Sequence, residues 1–199
     1  MNNAAKRVLV LVLIGGATIG AALWMREAGV FRSPRARAEQ EFVVSERAHH
    51  AGDVEAAMYH MEKAVRLDPT FVGAREGLAA MYEQHKGLEA AVAEYERGIE
   101  EDRQNESHYC YRIAEMYFIH RQWELALKWL KRADNLTPRD FYVQRLIGFC
   151  LERQGKWKEA EQHWSQMLLT HASATEAQRG LERARRHLNN GNQKGGKGG

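Results

Sequence analysis

Apolar residues recur along most of the chain every three or four positions, in short segments that are separated by turn residues such as Gly52-Asp53, Lys86-Gly87 and Gly155. This spacing is typical of amphipathic helices that bury one face. The segments come in pairs of similar length. Residues 38–189 therefore predict an all-α domain of four antiparallel helix pairs and a ninth, single helix.

The helix pairs repeat one another. They begin at residues 38, 72, 107 and 141, which gives intervals of 34, 35 and 34 residues. Two columns of the aligned repeats hold small residues, one at the start of the second helix (Ala57, Ala91, Ala126, Ala160) and one in the first helix (Ser45, Ala79, Ala114, Gly148). A third column holds larger residues (Met61, Tyr95, Leu130, Trp164). Small residues allow close helix approach and large ones fill the remaining space, so the columns predict the core.

The period and its columns resemble the tetratricopeptide repeat (TPR) family, whose repeat of 34 residues is a pair of helices. Two of the three prolines, Pro69 and Pro138, share a column just after the second helix, where a helix must stop. The resemblance implies a right-handed solenoid with repeats 38-71, 72-106, 107-140 and 141-174 and a capping helix 175-189. Residues 190-199, which are glycine and polar, are predicted to be disordered.

The N-terminal region has a different pattern. Residues 8-25 form a segment of 18 uncharged residues, and a helix of this length is just long enough to cross a bilayer. They predict a transmembrane anchor between an N-terminal tail, 1-7, and a basic linker, 26-37. A cleaved signal peptide and a buried helix are the alternatives. The expected location is a single-pass protein of the bacterial inner membrane with the repeats outside the cytoplasm, or with the opposite orientation.

Charge divides the repeat region. Residues 39–106 carry 16 acidic and 7 basic side chains, whereas residues 107–190 carry 9 acidic and 14 basic ones. The first half is therefore acidic, at −9, and the second half basic, at +5. A binding partner would contact both an acidic and a basic surface. Alternatively, the charges belong to an ordinary solvated surface.

Catalytic signatures are not found. The sequence has no nucleophile elbow, no phosphate-binding glycine loop and no zinc-binding HExxH motif. Cys110 and Cys150 are too few for a zinc site, and the helix offset predicts that they do not form a disulfide. The acidic first half disfavours nucleic acid. The sequence thus predicts a protein that is not an enzyme and needs no cofactor or metal.

The TPR resemblance also implies a binding surface. In that family the first helix of each repeat lines a groove that takes a peptide or a helix. Carried onto this sequence, these positions and the residues beside them in the last two repeats and the ninth helix give the candidate partner-binding residues His108, Tyr111, Arg112, Glu115, Phe118, Tyr142, Arg145, Phe149, Arg179 and Arg183. Aromatic residues and arginine dominate interface energies, and this set favours an apolar partner with acidic groups. Alternatively, the ninth helix itself covers the aromatic residues.

The functional expectation is a scaffold or assembly factor, tethered to a membrane by its N-terminal helix, that binds a protein or peptide partner in the groove. The alternative is a structural protein that assembles head to tail into homo-oligomers, since its acidic and basic halves could pair between copies.

Overall fold

The computed structural model describes residues 33–171 and 173–195. Within these ranges it contains nine α-helices and one short 3-10 helix, Arg103–Asn105, and no strand. The α-helices are α1 Pro34–His50, α2 Val54–Leu67, α3 Val72–Lys86, α4 Leu88–Glu101, α5 Glu106–Ile119, α6 Trp123–Leu136, α7 Phe141–Arg153, α8 Trp157–Thr170 and α9 Thr175–Gly195. The all-α prediction is confirmed for this part of the chain.

The predicted single-pass membrane location is contradicted. Across the described ranges, no helix combines the length and the apolar character needed to cross a bilayer. The apolar segment 8-25, the tail 1-7 and most of the linker 26-37 lie outside the described residues.

The start of α1 corrects the boundary of the predicted linker. The helix begins at Pro34, so residues 34–37 are helical and the repeat domain begins before residue 38. The Ser33 hydroxyl accepts a hydrogen bond from the Ala36 amide at 3.1 Å. Proline suits the first turn of a helix, where its missing N–H leaves no bond unmade. Ser33 and Pro34 are therefore a helix-start signal rather than a feature of a linker.

The end of α9 corrects the predicted tail. The helix continues to Gly195, so residues 190–195, expected to be disordered, are helical and the capping helix passes residue 189. Starting a helix is the unfavourable step, whereas extending one adds a hydrogen bond for each residue fixed. Polar composition alone therefore does not end this helix.

The chain divides into two compact units, and α1 and α2 belong to the first, which ends at Phe71. The two helices pack closely at Ser45, which is fully buried and donates a hydrogen bond from its hydroxyl to the Ala57 carbonyl at 2.6 Å. Glu41 of α1 contacts Lys63 of α2 at 2.8 Å. A small polar residue thus serves at a position where the other repeats have alanine or glycine.

Helices α3 to α9 form the second unit, in which each helix contacts the next. The small columns are buried as predicted, with Ala79, Ala91, Ala114, Ala126 and Ala160 all fully inaccessible. Leu130 and Trp164, from the column of large residues, are also completely buried. Cys110 and Cys150 are buried and free, which confirms that they do not form a disulfide.

Candidate functional site

An open pocket of about 550 Å³ lies between α5 and the start of α7, the first helices of the third and fourth repeats. We call it the groove pocket. Five of the ten sequence-predicted binding residues line it: His108, Tyr111, Arg112, Glu115 and Tyr142. The repeat pattern does not single out the other lining residues, which are Gln104, Asn105, Ser107, Thr137, Asp140 and Val143.

Asp140 sets the start of α7 and thereby the position of Tyr142. Its carboxylate accepts hydrogen bonds from the backbone amides of Tyr142 and Val143 at 2.9 and 3.0 Å. This is the usual N-cap arrangement of an aspartate before a helix. Val143 turns into the core, whereas Tyr142 is 58% exposed at the mouth of the pocket. An aspartate directly before an apolar helical segment was the sequence signal for this arrangement.

Arg145, one turn further along α7, supplies a cation beside the pocket. Its guanidinium lies 5.6 Å from the centre of the Tyr142 ring, within the range of a cation–π contact. Its Nε atom is buried and has no hydrogen-bond partner among the described residues, and no described carboxylate forms an ion pair with it. Arg145 therefore retains hydrogen-bonding capacity that the described chain does not use.

Tyr111 connects Arg145 to the pocket. Burial raises the pKa of the Tyr111 hydroxyl, the nearby Glu115 adds to the rise, and Arg145 opposes it. The Tyr111 hydroxyl donates a long hydrogen bond to Glu115 at 3.4 Å. The phenol thus stays protonated, with Glu115 and Arg145 close to it.

The other charged residues of the pocket are engaged within the protein. Arg112 donates a hydrogen bond to Glu115 at 2.5 Å and also approaches Glu76 of α3 at 3.0 Å. Nε2 of His108 lies 3.0 Å from Glu76. Arg112 and His108 are therefore already balanced by carboxylates, in contrast to Arg145.

These contacts use part of the charge asymmetry internally. Glu76 of α3 faces His108 and Arg112, and Glu83 of α3 lies 2.8 Å from Nε2 of His120. The acidic side of the second repeat is thus paired with the basic side of the third. Fewer of these charges remain for a contact with another copy.

Phe118 and Phe149, also predicted to bind a partner, pack in an aromatic cluster and are only partly exposed. The ring of Phe118 lies 5.0 Å from Trp123 and 6.4 Å from Phe149, and Phe149 lies 5.5 Å from Trp164. These centroid distances are those of ordinary aromatic packing in a core. We call this region, Phe118, Phe149, Trp164 and the residues over them, the closed end of the groove.

Helix α9 covers the closed end. Arg183 of α9 lies over the Phe149 ring at 5.6 Å, and its Nε donates a hydrogen bond to Glu152 at 2.9 Å. The indole N–H of Trp164 donates to the same carboxylate at 2.7 Å. The alternative stated for the sequence, that the ninth helix covers part of the groove, therefore describes this end.

Two glycines make the close approach of α9 possible. A Cβ added at Gly148 of α7 would lie 2.3 Å from the Trp164 ring, and one at Gly180 of α9 would lie 2.4 Å from it. Trp164 is consequently held between two helix backbones and is fully buried. Arg179, the last predicted binding residue, is exposed and lines a separate concavity with Phe141 and His171.

The described residues contain no group of three or more His, Cys, Asp or Glu side chains that could hold a metal ion. Comparison with protein-family models and with curated proteins finds no match.

Solved structures resemble this chain in fold. YrrB, described as a TPR protein with an unusual peptide-binding site, is 19% identical with a TM-score of 0.57 and covers 83% of this chain and 84% of its own. MamA is 16% identical with a TM-score of 0.57, and the match covers 74% of this chain and 80% of MamA. PilF of Pseudomonas aeruginosa is 18% identical with a TM-score of 0.57, and the match covers 79% of this chain and 73% of PilF.

These likenesses show the fold. The chain has the fold of tetratricopeptide repeat proteins, as its period and columns predicted.

Proposed function

We propose that the protein is a scaffold that binds a short apolar peptide segment with an adjacent carboxylate in the groove pocket. The observation that carries this proposal is the pairing of an exposed aromatic ring, Tyr142, with a guanidinium, Arg145, that has no carboxylate partner among the described residues. The same kind of site is named for YrrB, which has a similar fold and is described as having a peptide-binding site.

The aromatic residues supply the apolar part of the recognition. Tyr142 is mostly exposed and Tyr111 is half-buried, so a partner's side chain can cover both rings without disturbing the core. Tyrosine gives a large contact area and loses little side-chain entropy on binding, which is why it is frequent among interface hot spots.

The cation supplies the polar part. Arginine binds a carboxylate with two parallel hydrogen bonds, and a partly buried guanidinium does so more strongly than one in open solvent. A partner carboxylate would pair with the guanidinium of Arg145, which forms no ion pair with a described carboxylate. The pocket's own acids cannot do this, because Glu115 is held by Arg112 and Asp140 caps α7.

The size of the pocket fits a short segment. Its volume of about 550 Å³ lies within the range of pockets that enclose a drug-sized ligand. That range corresponds to a few residues of a peptide rather than to a whole helix.

Selection of peptides from a random displayed library on the full chain tests the proposal. We expect enrichment of sequences with an aromatic or large aliphatic residue next to Asp or Glu. Tyr142→Ala should lower the enrichment of all selected peptides, whereas Arg145→Met should remove only the preference for Asp or Glu. Leu169→Ala, at an exposed site on α8, is the matched control. Equal selection by the wild type and Arg145→Met would contradict the role of Arg145.

A further inference from the structure

A third concavity, of about 510 Å³, lies along α6 and the turn between α7 and α8. We call it the lysine trough. It is lined by Glu124, Leu127, Lys128, Lys131, Arg132, Asn135, Gln154 and Lys156, none of which belongs to the groove pocket. It lies on the second helix of the third repeat, whereas the groove is built from first helices.

Three of its cations are available to a ligand. Lys128, Lys131 and Lys156 are exposed, and none forms an ion pair with another described residue. Arg132 is different, because it donates two hydrogen bonds to Glu106, at 2.7 and 3.0 Å. Glu124 at one edge is the one carboxylate of the lining. The trough thus keeps a net positive charge.

Gln154 gives an independent sign of a ligand. Its side-chain nitrogen and oxygen are both buried, and neither has a hydrogen-bond partner among the described residues. Burying an amide without partners is unfavourable, so such a group in a native protein needs an explanation. Rotation of the side chain towards the trough would let its oxygen accept from, and its nitrogen donate to, a ligand that offers both kinds of group, as the backbone of a peptide does.

The length of the trough favours an extended ligand. Its lining runs along α6 from Glu124 to Asn135, a rise of about 16 Å for an α-helix. An extended peptide covers that distance with about five residues. A single small anion would meet one or two of the lysines, whereas a segment with several carboxylates can meet all three. None of the described lining residues is aromatic, so the trough offers no stacking surface for bases.

We propose that the lysine trough is a second docking site, which binds an extended acidic peptide segment of a partner protein through Lys128, Lys131 and Lys156, with its backbone on Gln154. The scaffold then has two sites with different chemistry, one for an apolar segment and one for an acidic one. Because the two share no lining residue, binding at the trough does not depend on the groove pocket.

Fluorescence anisotropy of a labelled hexaglutamate peptide with the full chain tests the trough. At about 50 mM salt we expect saturable binding that weakens at about 0.15 M, since exposed charges are screened over shorter distances there. Lys128→Glu with Lys131→Glu should lower the affinity at least about tenfold, because two attractions become repulsions. Lys158→Glu with Arg186→Glu makes the same change of net charge outside the trough and should have a much smaller effect. Tyr142→Ala should leave binding unchanged.

Gln154→Met separates a binding role from a structural one. The free protein should melt at a higher temperature, because an unpartnered amide is replaced by an apolar side chain of similar length, and hexaglutamate should bind more weakly. A lower melting temperature with unchanged binding would overturn the role of Gln154. Equal losses in the trough and control pairs, displacement by inorganic phosphate as effective as by unlabelled hexaglutamate, or tighter binding of an oligothymidine than of hexaglutamate would each overturn the acidic-peptide site.

Discussion

The two ends of the groove on α5 and α7 are built from the same kinds of residue but differ in accessibility. At the open end, Tyr142 is 58% exposed and Arg145 has no carboxylate partner among the described residues. At the closed end, Phe149 packs on Trp164 and lies under Arg183 of α9, which is itself bound to Glu152. On α7, helix α9 therefore covers Phe149 and leaves Tyr142 accessible.

The difference also shows what fixes the capping helix. Gly148, Gly180 and the Glu152–Arg183 pair act together on Trp164, so α9 docks by shape and by a shared carboxylate. The groove pocket has no such cover within the described residues. Stability and binding should consequently separate between the two ends, and substitutions can test this directly.

The largest effect is expected for Trp164→Ala at the closed end. Removing a completely buried indole should lower the free energy of unfolding by about 3–5 kcal/mol. Chemical denaturation of the full chain measures the loss. A change as small as that of an exposed residue would mean that Trp164 does not hold α9 on the fourth repeat.

Gly180→Ala should destabilise by about 1–3 kcal/mol, because the new Cβ would meet the Trp164 ring. Intrinsic helix propensity has the opposite sign, since alanine in a helix is favoured over glycine by about 1 kcal/mol. The sign of the change therefore decides between the two effects. Gln178→Ala, at an exposed position of the same helix, serves as the control and should stay within about 0.5 kcal/mol of the wild type.

A smaller effect is expected from pH at His163, which joins α8 to α7. Its Nε2 lies 2.6 Å from the Gln144 carbonyl, and burial lowers the pKa of the imidazole below its ordinary value of 6.5. The unfolded chain then takes up a proton more readily than the folded one. Stability from this group is full above pH 6.5 and is lost as the pH falls through 6.5 towards the lower folded pKa.

His163→Gln keeps a donor for the Gln144 carbonyl but does not titrate. Its unfolding free energy should fall less than that of the wild type when the pH is lowered from about 7.5 to about 5.5, around the ordinary pKa of histidine. Parallel pH profiles for the two proteins would show that His163 is not responsible. Thermal melts at several pH values are sufficient to distinguish these results.

The repeat period and the small columns were enough to predict the helices and their core. Ala126 and Ala160, for example, were chosen from spacing alone and are fully buried. The limits of the domain were harder, because Ser33-Pro34 and the polar residues after Leu188 were judged by composition, although caps and helix extension determine these ends.

The division of the groove could not be read from the sequence. Tyr142 and Phe149 are both large aromatic residues on the first helix of the fourth repeat, and only the position of α9 separates them. That position depends on Gly148 and Gly180, which lie 32 residues apart in the chain and both lie against the Trp164 ring. The sequence likewise does not distinguish Arg145 from Arg183, of which only Arg183 has a carboxylate partner among the described residues.

A paired comparison of Tyr142→Ala and Phe149→Ala tests the central claim most directly, with unfolding free energy and affinity for a peptide selected by the wild-type chain measured on each. Tyr142→Ala should change the free energy of unfolding by less than about 0.5 kcal/mol. It should lower the affinity for the peptide at least about tenfold, the loss expected for an interface hot spot. Phe149→Ala should lower stability by about 3 kcal/mol because it leaves a cavity beside Trp164. Unchanged peptide affinity of the Tyr142→Ala protein would contradict the assignment of the groove pocket as the binding site.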